Sequence, residues 1–176
     1  MNINQLKNIL TQMTKREDFR PLLEADVSAF LYHLLLHEGI PLSKLHSDTR
    51  VIGSKEKQRF DLAIGEISMD ERSKKPAIQP ELVMEVKVFP YGFTDQQNRT
   101  HFEEVLNRDL PKLGILAPGV LRIELLWDSE GYLSGNYGGR PRSNVLCEKR
   151  DKDAKGVHIA ILLPQGENIA GDVILF

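Results

Sequence analysis

The sequence predicts an α/β fold in which one mixed central β-sheet is flanked by helices. Three observations predict it. A long run at helical period comes early, and several short period-two runs follow it. The most apolar of these, residues 82–89, is apolar on both faces and reads as a central strand. The resulting order of helix, strand, strand, strand, helix, strand indicates a mixed sheet with helices against it. At 176 residues the chain is sized for one domain over 1–176 with a real hydrophobic core.

Residues 4–13 predict a short amphipathic helix. A longer one is expected over 19–37, with Pro21 in its first turn, where a missing N–H costs little, and Gly39-Ile40-Pro41 ending it. Residues 49–52 and 58–64 predict two strands joined by a hairpin loop at 53–57. The polar stretch 66–80 reads as an exposed loop before the central strand. Thr94-Asp95-Gln96-Gln97 matches a capping box and opens a third helix, whose buried stripe is Phe102, Val105, Leu106, Leu110 and Leu113. Pro111 falls late in that stripe and predicts a kink. Residues 120–127, 157–163 and 172–176 read as further strands, and the charge run 148–155 as an exposed turn.

Composition narrows the function. The formal charge is -2 and the pI about 6.2, so no global basic field draws in nucleic acid; polyanion contact requires a local patch. A single cysteine, Cys147, leaves no internal disulfide and reads as a small buried hydrophobe. The sequence predicts no membrane span and no signal peptide, so a cytoplasmic location is expected.

Three positions break the rules of a core. The central strand carries Glu85 and Lys87, which alternation puts on one face roughly 7 Å apart. An ionised pair there costs several kcal/mol unless partners compensate. In the preceding strand Phe60, Leu62 and Ile64 form an apolar face, and Asp61 falls on the other with Arg59 and Ala63. In the long helix Glu24 shares a face with Val27, Ser28, Leu31, Leu34 and Leu35, while Asp26 lies opposite. Such conflicts are expected at functional sites. Carboxylates on neighbouring strands, with another from a helix, suit a hard cation such as magnesium.

These residues resemble the PD-(D/E)XK, or restriction-endonuclease-like, nuclease superfamily: Glu24 in an early helix, Arg59-Phe60-Asp61-Leu62-Ala63-Ile64, then Glu85-Val86-Lys87. The likeness covers about 19–127, which would be the family's αβββαβ core, with extra C-terminal strands beyond it. Phe60 stands where the family name has proline. The resemblance implies a metal-dependent nuclease that hydrolyses phosphodiester bonds with metal-activated water. Asp61 and Glu85 would hold Mg2+ (or Mn2+ in its place), Glu24 would be the helix acid on the metal directly or through water, and Lys87 would orient or activate the water. DNA as substrate and a homodimer as assembly are implied by family habit alone.

Two stretches suit a polyanion, 44–59 with Arg59 and the glycine-rich 134–142 with Arg140 and Arg142. Gln97 and Arg99, at the start of the third helix, are secondary substrate-binding candidates. A rival reading is a module that keeps the fold and binds nucleic acid or protein without turnover. The acidic pI favours it, whereas retention of Glu24, Asp61, Glu85 and Lys87 argues against it.

Overall fold

A computed structural model describes residues 1–55, 57–165 and 171–176. Its centre is a six-stranded sheet in the order β1-β2-β3-β4-β7-β8, formed by β1 (Leu45–Thr49), β2 (Phe60–Asp70), β3 (Lys75–Phe89), β4 (Leu121–Asp128), β7 (Val157–Leu163) and β8 (Asp172–Leu175). The pairs β1-β2, β2-β3 and β7-β8 are antiparallel, and β3-β4 and β4-β7 are parallel. The mixed α/β architecture is as the sequence predicts.

Helices α1 (Ile3–Thr14) and α2 (Glu24–His37) cover one face of the sheet. Val27, Leu31 and Leu35 of α2 pack there on Leu62, Met84, Val86 and Ile123. The other face is covered by α3 (Asp95–Glu104), a wide π turn (Val105–Asp109), α4 (Leu110–Gly114) and α5 (Arg142–Asp153). Burying both faces is what lets residues 82–89 of β3, and β4 beside them, be mostly apolar.

Several starts and stops follow from named side chains. Asn2 and Gln5 form the reciprocal cap of α1, and Thr94 and Gln97 that of α3, the latter as expected. Helix α2 begins at Glu24 and not near 19, so Pro21 precedes it. Asp26, expected only to lie opposite the Glu24 face, caps it: its Oδ2 accepts the Leu22 and Leu23 N–H groups at 3.0 and 2.9 Å. At Pro111 the chain widens instead of simply kinking. Proline brings no N–H to the carbonyl four residues back, and Leu110 N donates to Val105 O, five residues away.

Several expectations are corrected. The first strand lies at Leu45–Thr49, while Val51 makes only an isolated bridge to Ile78. Stretch 66–80 is no loop: β2 and β3 continue as a hairpin arm as far as Asp70 and Lys75. Ile67 and Met69 on this arm face solvent, so the period-two signal of burial is absent while the backbone ladder persists. The glycine-rich stretch closes as a short hairpin of β5 (Asn136–Tyr137) and β6 (Arg140–Pro141), and the charge run lies largely in α5, which the sequence reading missed. Phe60, at the start of β2, packs in the opposite cluster from Leu62 and Ile64, and Cys147 is only half-buried.

The arm turns on a register shift between Ile64 and Gly65. A Cβ at Gly65 would collide with the Gln79 carbonyl and crowd Ile78. Gly65→Ala is therefore expected to destabilise the protein by about 1–3 kcal/mol, read from its urea midpoint. An unchanged midpoint would show that the bulge relaxes freely.

Candidate functional site

The sheet register assembles the site. On β3, Met84, Val86 and Val88 point into the α1–α2 layer, so Glu85 and Lys87 turn to the other face. Both are almost fully buried, at 4% and 2% exposure. Asp61 lies one step from the Leu62–Met84 pair, level with Glu85, and its Oδ2 accepts the Val86 N–H at 2.7 Å. On the other side of β3, Glu124 of β4 is the cross-strand neighbour of Glu85. Three acids thus lie in a row across β2, β3 and β4.

Lysines are set among them. Lys87 Nζ lies 2.6 Å from Glu24 Oε1, 3.0 Å from Glu104 Oε2 and 3.7 Å from Asp109 Oδ2. Glu24 is the first residue of α2, so this contact ties the two helical layers together. Lys112 of α4 donates to Glu85 Oε1 at 2.7 Å, with its ammonium 4.5 Å from the centre of the Phe60 ring. Arg108 Nε donates to Asp109 Oδ1 at 2.8 Å. The widened turn at 105–109 places Asp109 toward Lys87, and Lys112 follows on α4.

The electrostatics follow from burial and like charge. The Glu85 carboxyl is pushed up to about 8, by burial first and by the Asp61 charge second, with Lys112 opposing both. Asp61 is also raised, again by burial, against the pull of the Val86 N–H and with Glu24 adding repulsion. Glu124 stands well above the usual carboxylate range because it is fully buried, with Asp109 and Glu85 nearby. Burial pulls Lys87 down, but its acidic partners, Glu24 foremost, outweigh that and hold it above the ordinary lysine value. The centre therefore favours added positive charge, whether protons or a cation.

The structure brings Glu24, Asp61, Glu85 and Lys87 into one neighbourhood. Among the described residues, however, no three acidic, histidine or cysteine side chains stand as a ready ligand set. Glu24 is turned to Lys87, and Glu85 to Lys112. Glu104, Asp109, Lys112 and Glu124 were not anticipated. For Glu124 the signal was available, an acid amid the apolar residues of β4.

A cleft of about 550 Å³ opens beside the acids, lined by Glu24, Ser28, Tyr32, Ser47, Asp48 and Asp61. It is a route from solvent to the outer end of the row. Among the described residues, no helix is long and apolar enough to cross a membrane.

The substrate-binding candidates all have partners within the chain. Arg59, near the cleft, pairs with Asp48 at 2.8 Å. Gln97 is spent on the α3 cap, and Arg99 pairs with Glu103 at 3.0 Å while its guanidinium lies 5.4 Å from the Tyr137 ring centre. Arg140 pairs with Glu148. Arg142 lies 3.6 Å over the Tyr132 ring and donates to the Tyr132 carbonyl at 2.6 Å, so it braces the start of α5.

No protein-family model matches the chain, and no curated protein matches it. A solved structure that does match is that of Pyrococcus furiosus SfsA in complex with Ca2+. The two share 13% identity at a TM-score of 0.30 over 85% of this chain and 61% of that one. The chain thus spans less than two thirds of the length of SfsA. Any functional reading rests on this chain's own residues.

Proposed function

We propose that the protein is a metal-dependent nuclease of the PD-(D/E)XK type, hydrolysing phosphodiester bonds, with DNA as the substrate. The observation that carries this reading is the placement of Asp61 and Glu85 side by side on adjacent strands, mutually repelling, with Lys87 two residues further on the same face. A divalent cation fits this donor set, because the acids offer only hard oxygen atoms and the excess of carboxyls would be relieved by it. Asp61 and Glu85 would hold Mg2+, with Glu24 at the cleft as a ligand directly or through water. Bound there, the metal would supply an activated water and would neutralise charge on the phosphate.

The chain's own groups do the rest. Lys87 holds a fixed positive charge in a water-poor setting, where it stabilises the anionic transition state without having to reorganise. Glu104 and Asp109 keep its ammonium in place when Glu24 turns to the metal. Of the substrate candidates, Arg59 is the one nearest the cleft, positioned for a backbone phosphate. Arg99, Arg140 and Arg142 would contribute at most peripheral phosphate contacts, each by giving up an internal partner. A homodimer would allow both strands to be cut.

One observation favours the alternative, a module without turnover: Glu85 and Glu24 are already neutralised by lysines. Calorimetric titration with Mn2+ and a Mg2+-dependent DNA cleavage assay separate the two. Wild type is expected to bind Mn2+ and to cut. Asp61→Ala should lose at least roughly 10–100-fold in affinity, the loss caused even by outer partners of metal ligands, and should lose cleavage with it. Full binding and cleavage in Asp61→Ala would overturn the proposal. DNA binding that ignores metal, without cleavage, would favour the module.

A further inference from the structure

Glu124 makes no side-chain hydrogen bond that would tie it into the fold. It sits mid-strand in β4 between Glu85 on β3 and Ile159 on β7, with no exposed surface. Neither of its carboxyl oxygens has a hydrogen-bond partner among the described residues. Buried polar groups in native proteins are nearly always satisfied, and an unsatisfied one calls for an explanation. Its face of the sheet also carries Leu126, Ile159 and Ile161, so an apolar side chain would have neighbours to pack against there. Buried Arg122, two residues earlier on the same strand, is by contrast anchored to the Leu116 and Lys155 carbonyls at 3.1 and 3.0 Å.

The position of Glu124 explains what folding does not. Strand register sets it beside Glu85, at the inner end of the Asp61–Glu85–Glu124 row, away from the cleft that Asp61 lines. Strands in a sheet lie about 4.8 Å apart, a spacing at which carboxylates on neighbouring strands can share one cation. Resting on the nuclease reading above, we propose that Glu124 is an inner ligand of the divalent cation, holding it jointly with Glu85 from the side opposite the cleft. Lys112 on Glu85 then serves as the counter-charge of the metal-free state.

The test is Mn2+ titration by calorimetry, with thermal unfolding followed in parallel, on wild type, Glu124→Gln and Glu124→Leu. In the absence of metal Glu124→Leu should unfold at or above the wild-type temperature, since it removes an unsatisfied carboxyl, and Glu124→Gln close to the wild-type temperature, since its buried amide is as unsatisfied as the carboxyl it replaces. Their Mn2+ affinity should fall at least tenfold, and the metal-induced rise in unfolding temperature should shrink accordingly. Wild-type affinity in a folded Glu124→Gln would overturn this inference while leaving the Asp61–Glu85 reading intact. Should Glu124→Gln fail to fold, Glu124→Leu gives the same reading. Failure of both variants to fold would show that Glu124 holds the fold together and would overturn the inference. Absence of Mn2+ binding in wild type would overturn both the inference and the reading on which it rests.

Discussion

Lys87→Ala is expected to destabilise the protein by about 3–5 kcal/mol, the usual cost of removing one member of a buried ion cluster. Lys87 touches three acids, Glu24, Glu104 and Asp109, and the last of these is itself buried. Without the ammonium, Asp109 keeps Arg108 as its charged partner among the described residues, and Glu24 loses its ion pair to β3. For a chain of this length the loss corresponds to a fall of roughly ten degrees in melting temperature. Urea unfolding at neutral pH reads it directly. A variant as stable as wild type would mean that water or chain relaxation takes over the lysine's role. The prediction bears on function as well, because lost cleavage in Lys87→Ala is informative only at a temperature where the variant is folded. Lys87→Arg, which keeps the charge, separates the two effects: it should restore most of the stability, while cleavage should stay low because the guanidinium cannot occupy the ammonium position.

The parts of this fold legible in the sequence were those where burial leaves a periodic trace. Residues 82–89 read as a central strand because both faces are covered, and residues 157–163 read as a strand to the residue. The Thr94–Gln97 cap was legible because its chemistry is local. The arm beyond Gly65 was not, since Glu66, Ile67, Ser68 and Met69 are all exposed and only the backbone ladder holds them in strand. Helix α5 buries Leu146 alone and so shows almost no apolar stripe. Within the site, Glu24, Asp61, Glu85 and Lys87 were found as residues that a core would not choose. The same rule applied to Leu121–Asp128 would have found Glu124. Asp109 and Lys112 left no such trace, because on a helical segment rich in charge they look like surface residues. Only the widened turn before Pro111 and the packing of α4 bring them to Lys87 and Glu85.

Metal-free protein is expected to lose stability as the pH rises from about 5 to about 8. Glu85 ionises near 4.5 in an unfolded chain and near 8 in the folded one, so between these values the native state binds a proton that the unfolded state has released. Linkage then makes stability fall with rising pH, by about 1.4 kcal/mol per unit for one proton, and level off above 8. Asp61 and Glu124 are raised as well and act in the same direction. Glu104 is lowered, so its contribution to stability is lost only as the pH falls through the carboxylate range, below this window. Lys87 is raised, and its contribution fades only above the ordinary lysine range, beyond the window on the other side. Urea unfolding at pH 5, 6.5 and 8 should therefore show a declining midpoint for wild type and a flatter one for Glu85→Gln, which is neutral throughout and should be the more stable at pH 8. A divalent cation reverses the sign for wild type. It competes with the proton for the same carboxylates, so its affinity climbs with pH up to about 8, and binding stabilises the native state by mass action. With saturating Mn2+, wild type should gain most at pH 8, where the metal-free protein is weakest, and Glu85→Gln should gain little at any pH. A wild-type midpoint that does not move between pH 5 and 8 without metal would mean that Lys112 alone keeps Glu85 ionised, and the case for an under-neutralised acid row would fall with it.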